Sequence, residues 1–323
     1  MTEAAAARPR VLVARTLLPA GMALLVDRCD VVEGGLDVEP KRLLGLAPGA
    51  AAIVADPTVA VGDELLDAAG PQLRVVANFA VGYDNLDLDA CRRRGVAVTN
   101  TPDVLTNATA ELALALTIAA ARRMSDAEAS LRAGRWVGWD PGALLGLELS
   151  GATFGVVGMG RIGGRYAELV APLAGETLYV CRTPKPEVER ELGAIRVELG
   201  ELLRRAEVVS LHLPASPETV GLIGRAELRA MRPHAVLVNT ARGGLVDSAA
   251  LAEALRAEEI GAAGLDVYES EPNIPPELLE APRCVLLPHI GSATTRARDG
   301  MARIAAENVL AVLSGSEPPN RVV

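Results

Sequence analysis

The sequence predicts an α/β protein built as two doubly wound parallel-sheet domains, and three observations carry that prediction. At 323 residues and 33.6 kDa the chain is longer than one hydrophobic core usually organises. Its hydrophobic share of 50% against a charged share of 23% suits a packed interior rather than a disordered chain. Short aliphatic runs alternate with helical segments along its length, the pattern of strands buried on both faces between crossover helices.

Taken in order, Val11 to Arg15, Ala51 to Ala55, Leu73 to Asn78 and Val96 to Asn100 read as the strands of a first domain, residues 1–102, with helices between them. Thr101-Pro102-Asp103 then marks a junction, because a residue before proline is pushed out of helical geometry and Thr106 or Asn107 can cap the next helix. One long helical pattern is expected from Thr106 to Ala133, followed by a loop, Arg135 to Gly142, that holds both tryptophans. Six further strands are read at Thr153 to Val157, Thr177 to Cys181, Val208 to Leu213, Ala235 to Asn239, Ala262 to Val267 and Cys284 to Leu287, which completes a second doubly wound domain over residues 103–290. The last stretch, residues 291–323, is helical from Thr294 to Leu313, with Ser292 or Thr294 as its cap, and is expected to return to the first domain.

Composition excludes several functions. A net charge of −9 without a basic stripe argues against a nucleic-acid partner, since phosphate-backbone affinity needs clustered positive charge. Cys29, Cys91, Cys181 and Cys284 are widely spaced, so they read as small buried residues rather than a disulfide framework or a metal site. Only Lys41 and Lys185 are lysines, which weakens any Schiff-base chemistry and leaves acid–base work to three histidines, the carboxylates or tyrosine. The longest apolar run, Glu111 to Arg122, is too short to span a bilayer, and Met1 to Arg10 lacks the apolar core of a secretory signal. A cytoplasmic protein is expected.

Gly158-Met-Gly160-Arg-Ile-Gly163 follows the strand-like Phe154 to Val157 and opens a helix expected from Arg161 to about Ala174. In that setting the first glycine permits a tight turn, the second lets a pyrophosphate approach the helix N-terminus, and the third lets helix pack on strand. A dinucleotide is therefore the expected cofactor. The next strand ends Cys181-Arg182-Thr183, with no carboxylate where one ordinarily takes the ribose hydroxyls. A small neutral residue removes repulsion of a 2′-phosphate, and Arg182 with Thr183 can bind it, helped weakly by Lys185, so NADPH is preferred while NADH stays possible.

Beyond this turn, the stretches Asn78-Phe-Ala-Val-Gly-Tyr-Asp-Asn-Leu86, Val238 to Asp247, Gly264 to Pro272 and Pro288-His-Ile-Gly-Ser-Ala293 make the chain resemble the D-isomer-specific 2-hydroxyacid dehydrogenases. The Trp139 loop and Cys181-Arg-Thr-Pro look most like the glyoxylate/hydroxypyruvate reductase branch. The resemblance implies a flavodoxin-like substrate domain, a Rossmann cofactor domain and an active site in the cleft between them. It makes His289 the proton donor, Glu271 its partner and Arg242 the substrate anchor, with Val81, Gly82 and Ser292 on the substrate carboxylate side. Such roles suit the chemistry: reduction of a 2-oxo acid builds negative charge on the C2 oxygen, which an imidazolium can protonate and an arginine can stabilise. Glu271 would raise the imidazole pKa and keep the donor charged.

The same resemblance puts Thr109, Ile162, Thr240 and Asp266 on the cofactor, Pro214 and Thr219 more loosely, and Arg161 and Gly291, within two of the matching motifs, are expected to contact it too. His212 reads as structural or cofactor-adjacent and His234 as solvated. Trp139 looks like a residue that reaches into a partner subunit's pocket or packs in a dimer interface, and either implies a homodimer. The reading is thus an NADPH-preferring reductase of small 2-oxo acids such as glyoxylate and hydroxypyruvate, with no metal. Phosphite and short phosphoglycerate dehydrogenases stay open as alternatives, as does a corepressor-like protein that senses NAD(H); the sequence runs to Val323 without a regulatory domain, which counts against the long phosphoglycerate enzymes.

Overall fold

A computed structural model describes residues 8–323; residues 1–7, part of the stretch read as free of a secretory signal, lie outside them. The chain divides into two compact units, one of the described residues up to Leu105 together with Ser292–Val323, the other Thr106–Gly291. Both sheets pair only in parallel, as the uninterrupted aliphatic runs predict.

In the first unit the strands are β1 Arg10–Val13, β2 Asp30–Glu33, β3 Ala52–Ala55, β4 Val75–Asn78 and β5 Ala97–Thr99, and the intervening helices are α1 Pro19–Arg28, α2 Pro40–Leu46, α3 Asp63–Ala69 and α4 Leu88–Arg94. Their order across the sheet, β2-β1-β3-β4-β5, is the flavodoxin-like one. Alternate residues feed two cores: Leu12, Ile53 and Val76 face one, Val11, Val54 and Val75 the other. That is why no polar residue interrupts these strands. Helix α13, Thr295–Leu313, covers the second of these faces with Ala302, Ala305, Ala306 and Val309 and packs on α1. Its cap is Thr294, whose hydroxyl accepts from the Ala297 amide at 3.1 Å.

The second unit runs α5 Thr106–Ala121, α6 Met124–Arg132, β6 Ala152–Val157, α7 Arg161–Val170, β7 Ala174–Val180, α8 Pro186–Leu192, β8 Ile195–Arg196, α9 Leu199–Arg205, β9 Val208–Leu211, α10 Arg225–Ala230, β10 Val236–Asn239, α11 Ser248–Arg256, β11 Ala262–Leu265, α12 Pro276–Leu279 and β12 Cys284–Leu286. Across the sheet the order is β12-β11-β10-β9-β6-β7-β8, so strand order reverses between β6 and β9. At such a switch point the C-terminal strand ends leave a crevice for a ligand.

Four expectations need correction. The helical pattern from Thr106 to Ala133 is two helices, because the Leu147 amide takes the Ala121 carbonyl at 2.8 Å and Arg123 turns left-handed at φ 51°. The helix after the glycine turn stops at Val170, ahead of Pro172, and Ala174 already belongs to β7. Strands β2 and β8 escape the aliphatic pattern because both lie at sheet edges, where Asp30, Glu33 and Arg196 meet water. Finally, only Cys29 and Cys91 are buried; Cys181 and Cys284 are partly exposed, although all four are free thiols.

Candidate functional site

Because the strands of the larger sheet are parallel, the residues that follow β6, β9, β10, β11 and β12 gather at one edge. There the sequence-predicted positions Gly158, Thr240, Arg242, Asp266 and His289 all lie.

The glycine turn is shaped by its neighbours. Gly158 holds φ 98°, and a Cβ there would stand 2.6 Å from the His212 carbonyl oxygen; on Gly163 it would stand 2.0 Å from that of Gly158. A Cβ on Gly160 would meet nothing within 4 Å, and Gly160, at the start of α7, provides no side-chain cap. Arg161 and Ile162 begin that helix, with Ile162 packed on the core. Below the turn, His212 is part-buried, with its Nδ1 shut off from solvent: its Nε2 lies 2.9 Å from Ser210 Oγ, and its ring stands 4.9 Å from that of Tyr166. Burial pushes the imidazole down to about 3, so it is neutral. His234, by contrast, is half exposed and lies 3.3 Å from Glu207.

After β7, the Arg182 and Thr183 side chains are exposed. Thr219 donates to the Pro214 carbonyl at 2.9 Å and shapes the loop that carries Glu218. The Ser216 hydroxyl first, and then the Glu218 amide and the Arg182 charge, hold the Glu218 carboxyl below its ordinary range. Thr240, after β10, is buried with no partner for its hydroxyl among the described residues. An orphaned hydroxyl, an uncapped helix start and a glycine cradle fit a dinucleotide, and these are the residues that would hold one.

The acid–base pair is built from two turns. Glu271 Oε2 lies 2.6 Å from His289 Nδ1, while its Oε1 accepts from the Tyr268 amide at 2.9 Å. Burial raises the Glu271 carboxyl, but the His289 and Tyr268 hydrogen bonds and the charges of His289 and Arg242 outweigh it and leave the group below its ordinary value. A carboxylate on Nδ1 fixes the proton there and leaves Nε2, which has no partner among the described residues, as the exchanging atom. His289 lies three residues beyond β12 rather than at its end, in the left-handed region at φ 52°. Buried Asp266 clamps that turn: its two oxygens accept from the Ile290 and Gly291 amides, each at 2.7 Å, and Thr109 Oγ1 donates to the Gly291 carbonyl at 3.2 Å. Burial raises the Asp266 carboxyl, partly offset by those amides.

Arg242 is presented by Asn239, whose amide donates to the Arg242 carbonyl at 2.8 Å and accepts from the Ala241 amide at 3.0 Å. In the first unit, Asn78 donates to the Gly82 carbonyl and Asn100 to that of Val81, both at 2.8 Å. Sequence reasoning named Val81, Gly82 and Arg242 but missed the three asparagines that hold them. The signal was present: each closes an aliphatic run, at the point where a strand needs an amide to redirect its backbone. Ser292 belongs to the first unit's C-terminal segment, where its carbonyl accepts from the Thr294 amide at 2.7 Å. Trp139 stands apart, 86% exposed on the loop after α6.

The chain matches the family model described as "D-isomer specific 2-hydroxyacid dehydrogenase, NAD binding domain" over residues 114–291. It is 46% identical over 322 residues to the glyoxylate reductase of Aeropyrum pernix, covering 98% of this chain and 96% of that one. A crystal structure of a Thermus thermophilus protein superposes with a TM-score of 0.91 at 46% identity, covering 97% of this chain and all of the other. Another, an NADPH-dependent glyoxylate/hydroxypyruvate reductase from Sinorhizobium meliloti in complex with NADP and malonate, gives 0.85 at 34% identity, covering 98% and 97%.

Proposed function

Since the chain belongs to the D-isomer specific 2-hydroxyacid dehydrogenase family, we propose that it is an NADPH-preferring reductase of small 2-oxo acids, glyoxylate and hydroxypyruvate foremost, working in the cytoplasm as a homodimer. The observation that carries this reading is the His289–Glu271 contact at 2.6 Å, which leaves one imidazole nitrogen for the substrate. When bound, the reduced nicotinamide supplies a hydride to C2 of the 2-oxo acid.

The chain's own residues do the rest. His289, as imidazolium, gives its Nε2 proton to the C2 oxygen as charge builds there and returns to neutral imidazole. Glu271 stabilises the charged form before transfer and holds the ring through Nδ1. Arg242 takes the substrate carboxylate and the developing oxyanion, while the Val81 and Gly82 amides, with Ser292, are carboxylate-binding groups. Asp266 and Thr109 keep the His289 turn in place, and free lone pairs on Asp266 serve the carboxamide. Exposed Arg182 and Thr183, with no acid at that strand end, support the preference for a 2′-phosphate. Support for the dimer comes from the apolar arm after α6, where Trp136, Val137, Trp139 and Leu145 are 67–101% exposed.

Initial rates of NADPH and NADH oxidation with glyoxylate, hydroxypyruvate and pyruvate test the reading. Rapid NADPH turnover with either of the first two is expected, and His289→Ala should lower kcat by about two orders of magnitude or more while NADPH still binds. No turnover with any of the three acids, or near-normal turnover by the variant, refutes it.

A further inference from the structure

The loop that follows β7 is tied down from both sides. Arg196, on edge strand β8 beside Tyr179, reaches forward and donates from Nε to the Cys181 carbonyl at 3.0 Å and from a terminal nitrogen to the Arg182 carbonyl at 3.2 Å. At the far end, the Tyr179 hydroxyl accepts from the Lys185 amide at 2.9 Å and donates to Glu189 at 2.5 Å. The exposed Arg182 side chain makes no ion pair within 4 Å among the described residues.

We propose that Arg196 is a positioning residue for cofactor choice: its fork on two successive carbonyls fixes the backbone from which Arg182 and Thr183 project, so that a 2′-phosphate meets a site already formed. This rests on the reading of Arg182 and Thr183 as the 2′-phosphate site. Two carbonyls held by one planar guanidinium define an orientation that a single ammonium does not reproduce. Ordering the loop in advance removes part of the entropy that binding would otherwise cost. Nothing in a search for an acidic residue at the strand end would find Arg196, which lies 14 residues beyond Arg182 and becomes its neighbour only through the pairing of β7 with β8.

Binding by the full chain of adenosine 2′,5′-bisphosphate and of 5′-AMP, measured by calorimetry, tests this without turnover. The unaltered chain should prefer the bisphosphate. Arg196→Ala should weaken the bisphosphate about tenfold, the worth of one or two hydrogen bonds, and leave 5′-AMP within about twofold. Arg196→Lys, which keeps the charge and loses the fork, should fall with it. An unchanged Arg196→Ala, an equal loss for both probes, or full rescue by lysine overturns the proposal. Equal binding of the two probes by the unaltered chain removes the parent reading, and the proposal with it.

Discussion

Acidification offers a sharp test of how the cofactor turn is supported, because His212 lies directly beneath it. Its imidazole is part-buried, and burial pushes it down to about 3, against an unfolded value of about 6.5. Between those values the unfolded chain binds a proton that the folded one refuses, so stability rises with pH across that window and falls as pH drops below about 6.5. At pH 5 the deficit is about 1.5 units at 1.36 kcal/mol each, or about 2 kcal/mol relative to pH 8. Other groups titrate too, and His212→Asn, which carries no proton at this site, isolates the share due to this one. Urea denaturation of both chains at pH 8 and pH 5 should show the unaltered protein losing about 2 kcal/mol more than the variant. With three histidines in the chain, a magnetic resonance titration can assign each imidazole by single substitution. A His212 signal titrating between 6 and 7, or parallel pH slopes for the two proteins, refutes the assignment.

Two further outcomes are expected. Asn100→Ala removes the donor that holds the Val81 carbonyl and leaves that group unpaired, a loss of about 1–2 kcal/mol; the KM for glyoxylate should rise about 5- to 30-fold in steady-state assays with the KM for NADPH unchanged, and an unaltered KM would remove Asn100 from substrate positioning. Trp139→Glu puts a charge on the apolar arm, so analytical ultracentrifugation should show a shift from dimer to monomer at micromolar concentration, whereas a dimer of undiminished affinity would locate the interface elsewhere.

What was legible in the sequence was whatever depends on local pattern. Aliphatic runs such as Val75 to Asn78 announce strands buried on both faces, and the order strand, Gly158, Gly160, Gly163, helix announces a turn that only glycine can make. The motifs around Arg242, Glu271 and His289 pointed to an acid, its partner and an anchor as residue types. Tertiary structure decided how they are held. Glu271 meets His289 across 18 residues, and Asp266 reaches the Ile290 amide across 24, because β11 and β12 are neighbours in the sheet and turn at the same edge. Asn100 becomes a prop for one loop, and Arg196 for another, by strand pairing that no window of sequence contains. The edge strands β2 and β8 were hidden for the complementary reason: a strand that faces water on one side carries charge in place of the aliphatic signal, and only its partner in the sheet makes it a strand.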